Sequence, residues 1–335
     1  MRLIHDALRG PSSSDVAARV RFLTAGLGVA LLLTACGGSD DPFEAESGDG
    51  PSSAGADETV TVASLGFTEA QIMVNIYSAL LEDAGIPVEV QEVENRELSA
   101  PALENGELDV TPEYAATAAE FYNREANGPT AALVASPDVA ATITALKTLV
   151  EPRGLAVLEP AQAANQNAFV VTKEYAAQHN LKTLSDLGAS GLSVVLAGSE
   201  ECPDRPFCLP ALEDGYGITV SENLPLGFGT IQGKEAVRSG QAQLGLVGTT
   251  DGTLEALGLV VLEDDKNIQL ADNLVPLVNS AGPGGSAEVA TALNSLAPKL
   301  TTEDLAELNR RVDEDRELPK DVATDYLTEK ELIGS

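Results

Sequence analysis

Cys202 and Cys208 lie six positions apart in "ECPDRPFCLP", with Arg205 midway between them. Three chemistries are open to such a pair: half of a metal site, a redox couple, or a disulfide that fixes the loop carrying the arginine. The chain has one other cysteine, Cys36, and two histidines, His5 and His179. A structural zinc site needs about four Cys or His ligands, more than His179 can add to the pair. Redox couples usually place two residues between the cysteines at the start of a helix, and here there are five. The choice between a disulfide and a free pair therefore turns on the compartment. No nucleophile constellation is visible: His179 sits in "AAQHN", and "GSE" at 198–200 is too short to serve as a nucleophile elbow. No metal and no cofactor are expected.

The N-terminus speaks to the compartment. Arg2, Arg9, Arg19 and Arg21 precede "FLTAGLGVALLL" (22–33), an uncharged apolar run that ends at "LTAC". A bilayer-spanning helix needs roughly 20 apolar residues, so the run suits the apolar region of a secretory signal instead. "LTAC" before "GGSDD" looks like a bacterial lipobox. On that reading residues 1–35 are a lipoprotein signal peptide and Cys36 becomes the lipidated N-terminus. Residues 36–58 contain no Lys or Arg and a single large apolar side chain, Phe43; such a segment cannot bury enough surface to fold and is expected to be a disordered acidic tether. An exported chain meets an oxidising environment, and with Cys36 lipidated the remaining cysteines are an even pair, which favours the Cys202–Cys208 disulfide.

The chain has 20 Lys plus Arg against 52 Asp plus Glu, a net charge of −32. A field of that sign repels phosphate backbones and argues against nucleic-acid partners. Beyond the tether the length suits two α/β lobes rather than one core. "TVTVAS" (59–64) reads as a strand, and the helix after it begins with a capping-box pattern, Thr68 with Gln71. Ile72, Ile76, Ala79 and Leu80 give that helix one apolar face, and Gly85 followed by Pro87 stops it. "VEVQEV" (88–93), a short helix in "SAPALENG", and "ELDVTPEY", a strand breaking at Pro112, complete a βαβαβ unit and hence a parallel sheet with helices on both faces. A second run has strands at 167–172, 192–198 and 242–248 with helices between them, and a further strand at 259–265 follows it. An extended "NLVPLVN" and helices at 286–297, 302–311 and 319–330 end the chain. Open α/β sheets bind ligands at the carboxyl ends of their strands. Ser64 to Phe67, Thr111 to Tyr114, Gly198 to Arg205 and Gly248 to Asp251 are therefore expected around one cleft.

"VASLGFTEAQIMVNIYSALLEDAGIPVEV", "ALENGELDVTPEYAAT", "TTDG", "LVVLEDDKN" and "LAPKLTTEDLAELNRRVDEDRELPKDVATDYL" resemble, in order and spacing, the osmoprotectant substrate-binding proteins of ABC importers, which bind glycine betaine, choline and related quaternary amines. The similarity runs from about Val60 to Leu332. It implies a two-lobed type II periplasmic binding protein, each lobe a mainly parallel sheet flanked by helices, with the ligand cleft between them. Lobe one would comprise 59–164 and 250–335, and lobe two 165–249, with a hinge through 161–167 and 247–252.

The resemblance also implies a ligand set. Such proteins hold the cationic head in an aromatic cage, because a quaternary ammonium has no N–H to donate, and meet the ligand's carboxylate with a lysine, a threonine and an arginine. Carried onto this chain, the threonine is Thr117 and the arginine Arg205, held still by the disulfide. The lysine position is Leu65, so that partner is missing. The four cage positions fall on Tyr114, Asn167, Gly248 and Asp272, of which Tyr114 alone is aromatic. Phe67 and Phe207 in neighbouring turns are candidate replacements. An amine that still carries N–H groups, bonded by Asp272 or Asn167, is therefore expected to fit better than a fully methylated betaine. The sequence thus points to a monomeric, lipid-anchored receptor outside the cytoplasm, on the outer face of the cell membrane, which passes a small polar solute to an ABC permease without chemistry. A ligand-sensing lipoprotein, or an enzyme on the same two-lobed fold, is the alternative.

Overall fold

A computed structural model describes residues 58–270 and 272–334 of the chain. The signal peptide, Cys36 and all but the last residue of the tether lie outside the described residues.

Ten strands form two five-stranded sheets. The first contains β1 (Val60–Leu65), β2 (Val88–Val93), β3 (Val110–Tyr114), β4 (Leu155–Val157) and β10 (Leu274–Asn279), in the order β2-β1-β3-β10-β4. The second contains β5 (Asn167–Thr172), β6 (Ser193–Gly198), β7 (Thr219–Pro225), β8 (Leu244–Gly248) and β9 (Leu259–Leu262), in the order β7-β6-β8-β5-β9. Neighbours are parallel except around one strand in each sheet: β10 runs against β3 and β4, and β5 against β8 and β9. Each reversed strand is the first that the chain forms after crossing from one lobe to the other. This is the expected two-lobed fold, mainly parallel with one reversed strand per lobe.

Helices cover both faces of each sheet. In lobe one, α1 (Thr68–Asp83) packs with α8 (Ala287–Asn294), α9 (Thr302–Asp313) and α10 (Pro319–Glu329) around Ile72, Ile76, Tyr77 and Leu81. The opposite face is closed by α2 (Arg96–Glu104), α3 (Ala115–Asn127) and α4 (Val139–Val150), around Leu103, Tyr122 and Leu146. In lobe two, α5 (Lys173–His179), α6 (Leu184–Ser190) and the disulfide loop cover one face, and α7 (Ile231–Arg238) the other. Full burial of one such aliphatic or aromatic side chain contributes about 1.5–3 kcal/mol, which is why the 3.6-residue pattern of α1 is legible in its sequence.

Three local expectations fail for physical reasons. Thr68 is already the first residue of α1, and its hydroxyl donates to Asp313 Oδ1 at 2.6 Å, at the end of α9, so no capping box forms with Gln71. Strand β3 does not break at Pro112, because Pro112 lies directly opposite Pro276 of β10. Neither proline can donate, and an antiparallel ladder has non-hydrogen-bonded pairs that accommodate both. Lobe two does not end at residue 249: β9 pairs with β5 from Phe169 opposite Leu262 to Thr172 opposite Leu259, so the second sheet extends to residue 262.

The crossovers are accordingly 158–166 and 263–273. They run side by side, with an antiparallel bridge between Ala164 and Asn273; Asn165 N donates to Asp272 O at 3.0 Å and Leu274 N to Ala163 O at 3.0 Å. Residues 247–252, expected to form part of the hinge, are instead the end of β8 and the turn after it, in lobe two, where Thr250 abuts lobe one. Cys202 and Cys208 are joined by a disulfide.

Candidate functional site

A cavity of about 630 Å³ separates the lobes. Lobe one contributes the turn after β1 (Leu65, Gly66, Phe67), the segment Glu94–Glu97 and the β3–α3 junction (Tyr114, Thr117). Lobe two contributes Asn167, the disulfide loop and the turn Pro225–Phe228, and Asp272 enters from the second crossover. Leu65, Phe67, Tyr114, Thr117, Asn167, Arg205, Phe207 and Asp272 are thus brought together as expected from the sequence. Gly248 is not. It lies behind the cleft, where a Cβ would come within 2.5 Å of Asn165 Oδ1, so its lack of a side chain serves close packing.

The roles carried over to these positions change with their partners. The Arg205 guanidinium pairs with Glu97 of α2, at 2.8 Å from Nη2 and 3.3 Å from Nε, while Glu201 of the same loop accepts from the Asn95 side chain. Arg205 therefore spans the two lobes, with part of its guanidinium already engaged by Glu97. The pair is about a third exposed, and ion pairs in that setting contribute about 0–1 kcal/mol. The Thr117 hydroxyl accepts from Arg96 Nη2 at 2.9 Å. The Asn167 amide donates to the Phe207 carbonyl at 3.0 Å, which bears on the shape of the disulfide loop.

Asp272 is 4% exposed. Its carboxylate accepts from the backbone N–H groups of Ala116 (2.6 Å) and Thr117 (3.1 Å), at the open start of α3, where the helix dipole favours an anion. Burial pushes its pKa up to about 6, even though the nearby Arg96 and these N–H donors pull the other way.

The aromatic content is larger than Tyr114 alone. The Phe67 ring lies 6.3 Å from that of Tyr114 and 5.4 Å, edge to face, from that of Phe228. Phe228 was not foreseen. It projects from "GFGT" between Gly227 (φ +87°) and Gly229 (φ +62°), left-handed positions that turn the chain sharply; an aromatic flanked by two glycines at a strand end was the available signal. Phe207 lines the cavity but is almost fully buried.

The lining is acidic: eight carboxylates (Glu94, Glu97, Glu120, Glu125, Glu200, Glu201, Asp204, Asp272) face three guanidiniums (Arg96, Arg124, Arg205). Arg96, also unforeseen, forms a buried bidentate pair with Glu113, at 2.9 Å from Nε and 2.6 Å from Nη2. With Arg205 held by Glu97, only Arg124 of the three makes no ion pair among the described residues. Rings and unneutralised carboxylates lining a partly open cleft are groups that attract an organic cation.

The family profile for the substrate-binding domain of ABC-type glycine betaine transport systems matches residues 58–329. The chain belongs to this family. It is 29% identical over 287 residues to the glycine-betaine-binding protein of Pseudomonas aeruginosa, covering 82% of this chain and 89% of that one. It is 28% identical to the glycine betaine-binding protein YehZ of Escherichia coli, covering 78% and 88%. Among solved structures, apo YehZ superposes with a TM-score of 0.55 at 27% identity, over 82% of this chain and 99% of that one. A glycine betaine/carnitine/choline ABC transporter structure superposes with a TM-score of 0.60 at 22% identity, over 82% and 98%, and shares the fold. These relatives of the family are binding proteins for transport, not enzymes. No helix among the described residues is long and apolar enough to cross a membrane.

Proposed function

We propose that this member of the glycine betaine family is the lipid-anchored, extracytoplasmic receptor of an ABC importer, and that its lobes close over one small organic cation. The observation that carries this reading is the cleft itself, where Phe67, Tyr114 and Phe228 gather among carboxylates that outnumber the cations. Each ring supplies about 0.5–2 kcal/mol to a cation over its face, while micromolar affinity needs about 8 kcal/mol. Three rings leave a few kcal/mol for Asp272 and its acidic neighbours, a shortfall that charge–charge attraction in a water-poor cleft can meet.

The same geometry revises the ligand chemistry expected from the sequence. The rings beside Asp272 are three rather than one, so a fully methylated ammonium is served as well as an amine bearing N–H groups. A carboxylate on the ligand is less well served, because Arg205 and Arg96 are each held by a glutamate. Choline is therefore expected to bind at least tenfold more tightly than glycine betaine in a calorimetric panel that also includes carnitine. Tighter binding of glycine betaine than choline would sink this choice of cation, and binding of neither would sink the receptor reading. The anchor has its own test. Cys36→Ala is expected to release the protein from the membrane fraction or leave its signal peptide uncleaved; a processed and still anchored variant would rule out lipidation at Cys36.

A further inference from the structure

Glu69, in the first turn of α1, is 2% exposed and lies behind the rings, outside the cleft lining. Its carboxylate accepts four hydrogen bonds from four separate parts of the chain. Oε1 takes the Tyr114 hydroxyl at 2.6 Å and the Asn165 side-chain N–H at 3.0 Å. Oε2 takes the Thr250 hydroxyl at 2.6 Å and the Asn309 side-chain N–H at 2.7 Å. All four donors are uncharged. Tyr114 carries a ring of the cleft, Asn165 belongs to the first crossover, Thr250 belongs to lobe two and Asn309 to α9 of lobe one. Asn309 also donates to the Thr250 hydroxyl at 3.2 Å, so lobe two is tied to lobe one directly at this point as well.

We infer that Glu69 is a positioning residue that couples the approach of the two lobes to the setting of the Tyr114 ring. One oxygen fixes the phenol while the other fixes the lobe-two turn. A carboxylate with no donor of its own can accept all four bonds, whereas an amide at this position must turn its NH₂ toward at least one donor and give up that bond. Moving lobe two away removes Thr250 from Oε2, and movement at the first crossover shifts Asn165 on Oε1, the oxygen that holds the phenol. The ring is thereby set for a cation when the lobes are together. An open-sided pocket of about 30 Å³, lined by Glu69, Thr250 and Asn309, lies at the joint and has room for about two waters, which fits a contact that is made and broken rather than a fused core.

This inference rests on the receptor reading above, and two measurements separate their fates. Thr250→Val keeps shape and removes the lobe-two hydroxyl, which donates to Glu69 and accepts from Asn309, and Glu69→Gln keeps shape and removes one acceptor; the first guards against misfolding of the second. In stopped flow with choline as the probe, both variants are expected to dissociate at least fivefold faster than the parent with association within twofold, a split that general loss of stability does not produce. In small-angle scattering without any solute, both are expected to have a larger radius of gyration than the parent. Parental values of both quantities in both variants would overturn the coupling. If the parent binds no solute of the panel, the receptor reading falls and the scattering comparison alone decides the role of Glu69.

Discussion

Asp272→Asn is expected to stabilise the protein at pH 7.5 while weakening its hold on choline at least tenfold. The buried carboxyl has its pKa pushed up to about 6, against about 3.9 in an unfolded chain. The folded state thus binds the proton more tightly than the unfolded one. Its contribution to stability is complete below pH about 3.9 and is lost as the pH rises through about 6; above that, ionised Asp272 costs the fold on the order of 1–3 kcal/mol. Asparagine removes that cost and still offers an oxygen to the Ala116 N–H at the start of α3. Binding moves the other way, because the variant has lost a buried negative charge beside the rings, and a tenfold loss corresponds to about 1.4 kcal/mol. Chemical denaturation and calorimetry between pH 5 and 8 check both parts. Choline affinity of the parent should fall as the pH drops through about 6, with the variant much flatter. A variant that binds as tightly as the parent at pH 7.5, or a parent with no pH dependence, would refute the assignment.

Glu113→Ala is expected to be the most damaging single change near the cleft, costing about 3–5 kcal/mol of stability. Arg96 and Glu113 have side chains 8% and 3% exposed and pair through two nitrogens. Removing the carboxylate strands a buried guanidinium that still faces the cleft, where it also repels a cation. The paired replacement Arg96→Met with Glu113→Leu is expected to recover most of the stability, since removing both charges also removes the cost of keeping them dry. Urea unfolding of the three proteins is the measurement. A loss below about 1 kcal/mol in Glu113→Ala would show that water reaches the arginine.

How much of this was legible in the sequence depended on how local its cause is. β1, β5 and β8 are short apolar runs whose burial is written into the residues, and the three C-terminal helices announce themselves by period and by caps such as Thr301 with Asp304. β7 went unseen because it is an edge strand of mixed, largely exposed residues, "TVSENLP", with no face to bury. The cleft divides in the same way. Strand ends brought Leu65, Phe67, Tyr114 and Arg205 to the cavity, since topology alone brings them there, though not Gly248, while Thr117 and Asn167 came from the resemblance. What their side chains do there was not legible. Arg205 finds Glu97 across 108 positions, Thr68 finds Asp313 across 245, and Glu69 finds Asn309 across 240. No local pattern encodes such pairings. The resemblance supplied roles for several of these positions, and the partners present in this chain have reassigned them.

The side-by-side crossovers carry a mechanical consequence. A single connecting strand is a swivel: one body on it can twist as well as bend, and it explores many orientations. Two connecting strands bonded to each other at Ala164 and Asn273 behave as a door leaf, since twisting about either strand would shear the bonds between them while bending both together leaves those bonds whole. Under the closure proposed above, movement of one lobe against the other would thereby be confined mainly to one soft coordinate. A partner that read the two lobes at once would then meet a graded series of one shape, from ajar to shut, in place of a crowd of unrelated ones.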